Sequence, residues 1–344
     1  MLKIALGLLL LIVLGLLMRS MLATPYYGGP LSDHFDGQRF YDTQTPPKRF
    51  LDLFKWKLFG EKTPWPEWVE IAPQPAPPKR VAGGALRLTF VNHNTVLIQT
   101  AGLNILTDPQ WSQRASPVRF LGPRRVHAPG VALADLPPID VVLISHSHYD
   151  HMDRDTLQQL YAQHKPRILV GLGGVALLHE MGVPAEALDW GGHLPLTSVV
   201  EAHFVQVKHW SARTLWDRNQ ALWGGFVLTT AHGNLYFGGD CGYSDAFVQQ
   251  GQRYGPFRLA LLPMGHYAPR WFMRHAHMNP AEAVQAHTDL AARYTLGIHW
   301  GTFPLTDEGR TQPLQDLAVA LQAGGVDAEH FRTLQPGESW LVPE

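Results

Sequence analysis

An α/β layered fold is predicted by two features of the chain. Short β-rich runs recur from Leu86 onward, and segments carrying helix start signals are interleaved among them. Composition permits such a fold: 45% of the 344 residues are apolar and 17% charged, which allows a sizeable core and disfavours extensive disorder. Sandwiches of up to about 250 residues form one unit. One domain over residues 86–344, preceded by an N-terminal extension, is therefore the economical reading, and no internal repeat divides it.

Taken in order, Met1-Leu2-Lys3 leads into an apolar run from Ile4 to Met18, closed by Arg19. The run falls short of the roughly 20 residues of a comfortable transmembrane helix and has the layout of a signal sequence. A cut after Ala23 would put bulky Met21 where a small side chain is preferred. Residues 1–23 are thus expected to remain as an anchor, with Arg19 snorkelling to the interface. The domain would then face the periplasm or another extracytoplasmic space, the alternative being secretion after cleavage. Residues 24–85 are rich in Pro, Gly and aromatics with no long amphipathic period, and read as an extended lead that packs on the domain or spaces it from the membrane.

From Leu86 the pattern changes to strands at Leu86–Val91, Thr95–Thr100 and Leu103–Leu106, with Asn92-His93-Asn94 as a turn. Asp153 stands where it can cap a helix running to about His164. Asn279-Pro280-Ala281-Glu282 offers an N-cap, a proline at the first helical position and a capping-box acid. Gln312–Ala323 is a third helical segment.

His146-Ser147-His148-Tyr149-Asp150-His151 follows the apolar run Val141–Ile144 and places four potential metal ligands at the end of a buried strand. Imidazole and carboxylate suit zinc, and no cysteine lies nearby to suggest a closed thiolate site. An open catalytic zinc keeps about three protein ligands and a water, so the cluster implies two ions. His146 and His148 alternate and can face one, while Asp150 and His151 can turn towards the other. Further ligands are expected from later strand ends, where His209, Asp240 and His299 each terminate a β-rich segment. A lone strand-end histidine is usually ordinary; with the first cluster these three complete a site.

In this order the residues resemble the metallo-β-lactamase fold superfamily, whose signature is HxHxDH followed by a distal His, a bridging Asp and a final His. Leu106–Pro109 with Arg114–Pro117, Gln206–Trp210, Gly238–Tyr243, Ala268–Met273 and His299–Phe303 further resemble the N-acylphosphatidylethanolamine-hydrolysing phospholipase D family. These blocks span about residues 86 to 305. The resemblance implies a four-layer αββα sandwich with its metals at one edge. It implies that His146, His148 and His209 hold one zinc and Asp150, His151 and His299 the other, bridged by Asp240, although other divalent metals would suit the same ligands. The implied reaction is attack of hydroxide on the phosphorus of a membrane phospholipid, N-acylphosphatidylethanolamine, releasing N-acylethanolamine and phosphatidic acid, with Asp150 and Asp240 in catalytic roles. Tyr149 and His277 match positions that the family uses near the substrate. Trp271, Phe272 and Met273 beside Tyr267 would form an apolar entrance for acyl chains. Ala276 and His266 depart from the family pattern, the first lacking a polar side chain and the second bringing an imidazole, and both bear on head-group preference.

Two other readings fit the ligands: a metal-dependent lactonase or other phosphodiesterase of the same fold, and a non-catalytic membrane-tethered metal-binding protein. The second has no use for an open, water-activating pair. A net charge of −1 offers no global field for a polyanion, which weighs against nucleic acid as a partner. Cys241 is the only cysteine, so no intramolecular disulfide forms, and it is expected to fill a tight loop beside Asp240 rather than to ligate. Oligomeric state has no signature in the sequence.

Overall fold

Among the described residues the extension contains one helix that periodicity did not announce, α1 (Phe50–Phe59). Its apolar residues are distributed all round: Trp56 is buried while Leu51, Phe54, Leu58 and Phe59 are exposed, so no single stripe marked it. The computed structural model describes residues 25–42 and 50–344. The apolar run Ile4–Met18, and with it the expected anchor, lies outside the described residues. Elsewhere in the extension, Phe35 and Phe40 are fully buried and join the main core.

The alternation from Leu86 becomes an antiparallel meander, β1 (Leu86–Asn92), β2 (Thr95–Thr100) and β3 (Leu103–Thr107). Parallel strands β4 (Val141–Leu143), β5 (Arg167–Gly171) and β6 (Glu186–Leu188) extend it. The crossovers supply α2 (Arg154–His164) and α3 (Gly174–Glu180). A second sheet runs β7 (His193–Pro195), β8 (Val200–Val205), β9 (Gly225–Thr230) and β10 (Asn234–Phe237) as antiparallel neighbours. After α4 (Ala246–Tyr254) it continues in parallel through β11 (Phe257–Pro263), β12 (Tyr294–Ile298) and β13 (Phe331–Arg332). Helices α5 (Arg270–Met273), α6 (Pro280–Asp289) and α7 (Gln312–Gly324) fall between these strands, and β14 (Ser339–Val342) returns to pair with β1. Among the described residues this gives two mixed seven-stranded sheets.

Each sheet is covered on both faces. Val96 and Ile98 of β2 point into the inter-sheet core with Phe204, Phe226 and Leu261, whereas Leu97 points outward to a second core with Leu157, Leu160 and Leu177 of α2 and α3. All six β2 residues are consequently buried. On the far side, Phe247 of α4, Val284 of α6 and Leu317 of α7 pack on the second sheet. The order is helix, sheet, sheet, helix. The capping box at Asn279 forms as its sequence suggests: the Asn279 side chain accepts from the Glu282 N–H at 2.9 Å, and the Asn279 N–H donates back to the Glu282 carboxylate at 3.1 Å. Asp153 occupies the N-cap of α2, but its carboxylate accepts from the Trp111 and Ser112 N–H groups and the Thr156 hydroxyl instead of from the backbone of the helix. It pins the loop after β3 to the start of α2.

A candidate metal centre

Parallel strands present their carboxyl ends along one edge, and loops leaving those ends converge there. Asp108 leaves β3, the run Ser145–His151 follows β4, His209 follows β8, Asp240 follows β10, His266 follows β11 and His299 follows β12. Close packing makes small residues obligatory at two places. A Cβ on Gly239, which holds a φ of +58°, would meet Ser145 Cβ at 2.4 Å, and one on Gly265 would meet the His299 carbonyl at 2.3 Å. Four non-glycine residues of the centre, His93, Asp108, His266 and His299, are themselves held at φ of 45°, 30°, 60° and 63°. Such left-handed backbone persists where surrounding structure over-determines it.

The seven residues expected as ligands all come together. His146 Nε2 lies 2.7 Å from His148 Nδ1, and His209 completes that group. His151 Nε2 lies 3.2 Å from Asp150 Oδ2 and 3.3 Å from Asp240 Oδ2, while His299 Nε2 lies 2.8 Å from Asp240 Oδ1 and 3.6 Å from Asp150 Oδ2. Asp240 also reaches towards His209 Nε2 at 3.7 Å, which places its carboxylate between the two groups.

The outer nitrogens of these rings explain why the inner ones face inward. The His209 Nδ1–H donates to the Ala276 carbonyl at 2.9 Å, and the His151 Nδ1–H donates to Asp108 Oδ2 at 2.7 Å. Asp108 also takes the Ser145 hydroxyl proton at 2.6 Å, so the Ser145 Oγ is left to accept from His146 Nδ1–H at 2.8 Å. His266 donates from Nε2 to the Phe303 carbonyl at 2.9 Å, which leaves its Nδ1 to accept from His299 Nδ1–H at 3.0 Å. Four imidazoles thereby have an Nδ1 proton engaged outside and their Nε2 atoms turned towards the two ligand groups. Outer hydrogen bonds of this kind are how proteins orient metal-binding histidines.

Electrostatics point the same way. Burial holds the His146 and His148 imidazoles well below their ordinary range, in the neutral form that ligates. Burial would also raise Asp150 and Asp240, yet His151 and the neighbouring histidines hold both carboxyls well below the usual carboxylate range. Burial would lower His151, but Asp240, Asp150 and Asp108 hold it well above, so its Nε2 sits where positive charge, a proton or a metal cation, is favoured. Buried carboxylates at this density require cationic compensation. The donor set therefore fits divalent cations: inward lone pairs, ionised carboxylates, and buried atoms such as His151 Nε2 and Asp240 Oδ1 that make no hydrogen bond.

His277 stands over the centre, its ring stacked on His299 at 5.6 Å with Nδ1 3.8 Å from Asp240 Oδ2. Tyr149 faces an adjoining cavity of about 720 Å³ lined also by Trp111 and Arg213, and the Arg213 guanidinium lies 4.0 Å from its ring centroid. Trp271 is 48% exposed on α5, but Phe272 is packed against Trp56 of α1, ring centroids 5.1 Å apart, in a small core with Met273. The apolar entrance expected from Trp271, Phe272 and Met273 together is thus reduced at the surface to Trp271. Cys241 is fully buried, and burial followed by Asp240 pushes its thiol well above the ordinary range, so it fills space beside the centre.

Sequence reasoning missed His93, which looked like a turn residue. It is wholly buried, and its Nε2–H donates to Asp150 Oδ2 at 3.0 Å. Asp108 had appeared only within a block of resemblance and His266 only as a departure bearing on head-group preference, with no orienting role attached to either. The signal that could have found them is positional: each lies within three residues of the end of a β run, as several of the expected ligands do.

Fold and centre together define a metal-dependent hydrolase of the metallo-β-lactamase fold. Residues 103–300 match the beta-lactamase superfamily domain. The chain is 36% identical to N-acyl-phosphatidylethanolamine-hydrolyzing phospholipase D 1 of Caenorhabditis elegans, over 73% of this chain and 74% of that protein. It is 37% identical to the mitochondrial N-acyl-phosphatidylethanolamine-hydrolyzing phospholipase D of Saccharomyces cerevisiae, over 65% of this chain and 49% of that one. An uncharacterized protein of Mycobacterium tuberculosis is 41% identical over 73% of this chain and 69% of its own length. Among solved structures, an isothiocyanate hydrolase from Delia radicum gut bacteria superimposes with a TM-score of 0.60 at 20% identity, covering 74% of this chain and 98% of that one, which speaks to the fold alone. The chain belongs to the beta-lactamase superfamily, within the group that includes the N-acylphosphatidylethanolamine-hydrolysing phospholipases D.

Proposed function

We propose that the protein is a zinc-dependent phosphodiesterase that hydrolyses N-acylphosphatidylethanolamine to N-acylethanolamine and phosphatidic acid. The observation that carries this reading is the convergence of both ligand groups on Asp240, with His277 directly above, in a chain 36% identical to a phospholipase of that specificity. Two ions are proposed, held by His146, His148 and His209 on one side and by Asp150, His151 and His299 on the other, with Asp240 shared. Such a pair would acidify water to near-neutral pKa and offset charge on the attacked phosphoryl group.

The chain's own residues supply the rest. Asp108, Ser145, His266 and the Ala276 carbonyl hold the histidine rings in one tautomer each, so the site is organised before substrate arrives. His93 holds Asp150 in place by donating to its Oδ2. In the reaction the bond between phosphorus and the ethanolamine oxygen breaks, hydroxyl from water joins phosphorus, and the leaving oxygen takes a proton. His277 borders the centre where phosphoryl oxygens would sit, and a hydrogen bond from it would fix the head group, while Tyr149 lines the adjoining cavity.

Membrane access follows from two features. Leu51, Phe54, Leu58 and Phe59 of α1 and Trp271 of α5 are exposed on helices that pack together through Trp56 and Phe272, and the Lys55 ammonium of α1 lies 5.2 Å from the Trp271 ring. The apolar run Ile4–Met18 would tether the chain to the bilayer from which substrate comes. Turnover of bis-p-nitrophenyl phosphate against a lactone panel tests the reaction class. Phosphodiester cleavage that is lost with chelator is expected; lactone hydrolysis without phosphodiester cleavage would contradict the proposal.

A further inference from the structure

A second group of ligating side chains lies away from the catalytic edge, on the strands themselves. In the antiparallel pairing of β7 with β8, His193 stands directly opposite His203, and Glu201 lies two residues before His203 and hence on the same face. Val200, Ala202 and Phe204 occupy the other face of β8 and are buried, Ala202 and Phe204 in the inter-sheet core, so the three polar residues face away from that core. His193 Nδ1 lies 2.7 Å from Glu201 Oε1, and His203 Nε2 lies 3.2 Å from Glu201 Oε2. The two imidazoles are near-parallel, 5.3 Å apart at 27°, and one ligand atom from each of the three residues falls within 4.8 Å of the others.

We propose that His193, Glu201 and His203 form a separate binding site for a zinc-type divalent cation. Zinc holds nitrogen and carboxylate ligands at about 2.0–2.2 Å, so neighbouring ligand atoms of a tetrahedral site lie roughly 3.3 Å apart. The spacing found needs only a small opening of the His193–Glu201 contact. His203 is the anchor of the group, its side chain 13% exposed and its ring beside Tyr254 at 5.2 Å. Burial keeps its imidazole below the ordinary range, with His193 and Arg253 acting in the same direction against Glu201, and so favours the neutral form that ligates. His193 and Glu201 are more open, which leaves the remaining coordination positions to water. β7 is a three-residue strand at the edge of the second sheet, so the ion would clip that edge to β8. Its role is structural, distinct from hydrolysis, and independent of the substrate reading.

The test is zinc content of the full-length protein after dialysis against micromolar free zinc, compared with His193→Gln and Glu201→Gln. Both substitutions fall on partly exposed outward-facing side chains, so the fold and the catalytic centre are common to all three proteins. The wild type is expected to hold one equivalent more than either variant, whatever the occupancy of the catalytic centre, and to gain melting temperature on zinc addition beyond the gain of the variants. Equal zinc content in all three overturns the site.

Discussion

At the scale of single residues, the centre depends on side chains that touch ligands as much as on the ligands. Asp240→Asn keeps volume but removes the charge shared by both ligand groups, so turnover should fall by orders of magnitude while circular dichroism stays unchanged. Near-normal turnover in that folded variant would refute its place between the two groups. Asp108→Asn removes the acceptor that fixes both His151 and, through Ser145, His146; a loss of about 10- to 100-fold in zinc affinity is expected by chelator competition. Cys241 is buried and its thiol is held in the protonated state, so thiol-alkylating reagents should leave the native protein unmodified and react only after unfolding. The seven residues expected as ligands could be picked out in sequence because four of them fall within six residues and the others end β-rich runs. Their outer partners were not, because His93, Asp108 and His266 are lone residues whose roles arise only when loops from distant strands meet.

At the scale of elements, α1 and α5 carry the correction to the expected entrance. Phe272 packs on Trp56, so Phe272→Ala should destabilise the fold by about 3 kcal/mol, whereas Trp271 is exposed and its replacement by Ser should not. If α1 and Trp271 meet the bilayer, Leu51→Ser with Phe54→Ser and Trp271→Ser should raise KM for the lipid in vesicles and spare a soluble phosphodiester; equal loss on both would deny the surface that role. Strand β2 matched its expected bounds because its residues alternate between two cores, while α1 escaped notice for want of a one-sided stripe. Helix α6 carries a pH dependence of its own. Burial lowers the His287 imidazole to about 4, while Nδ1 hydrogen-bonds the Thr295 hydroxyl at 2.8 Å. The unfolded state, with an ordinary value of 6.5, binds the proton first. This stabilising share is therefore complete above pH 6.5 and is lost as pH falls towards about 4. His287→Gln should flatten that part of the urea midpoint against pH curve.

At the scale of the whole molecule, two mixed sheets bring loops from both halves of the chain to one edge, and the resulting donor set exceeds what one open zinc site uses. About two zinc ions per chain are expected at this centre by elemental analysis of a variant lacking the β7–β8 group; one or fewer would contradict the binuclear reading. The layered architecture was legible from strand and helix signals, whereas the pairing of β14 with β1, which closes the first sheet across 250 residues of sequence, joins segments with no local signal for each other. The central claim, cleavage of the phosphodiester of N-acylphosphatidylethanolamine, is tested most directly by mass spectrometry of a phospholipid extract incubated with the purified protein. Matched appearance of N-acylethanolamines and phosphatidic acid, abolished by Asp240→Asn, is the predicted result; an extract left without any ethanolamide product would contradict it.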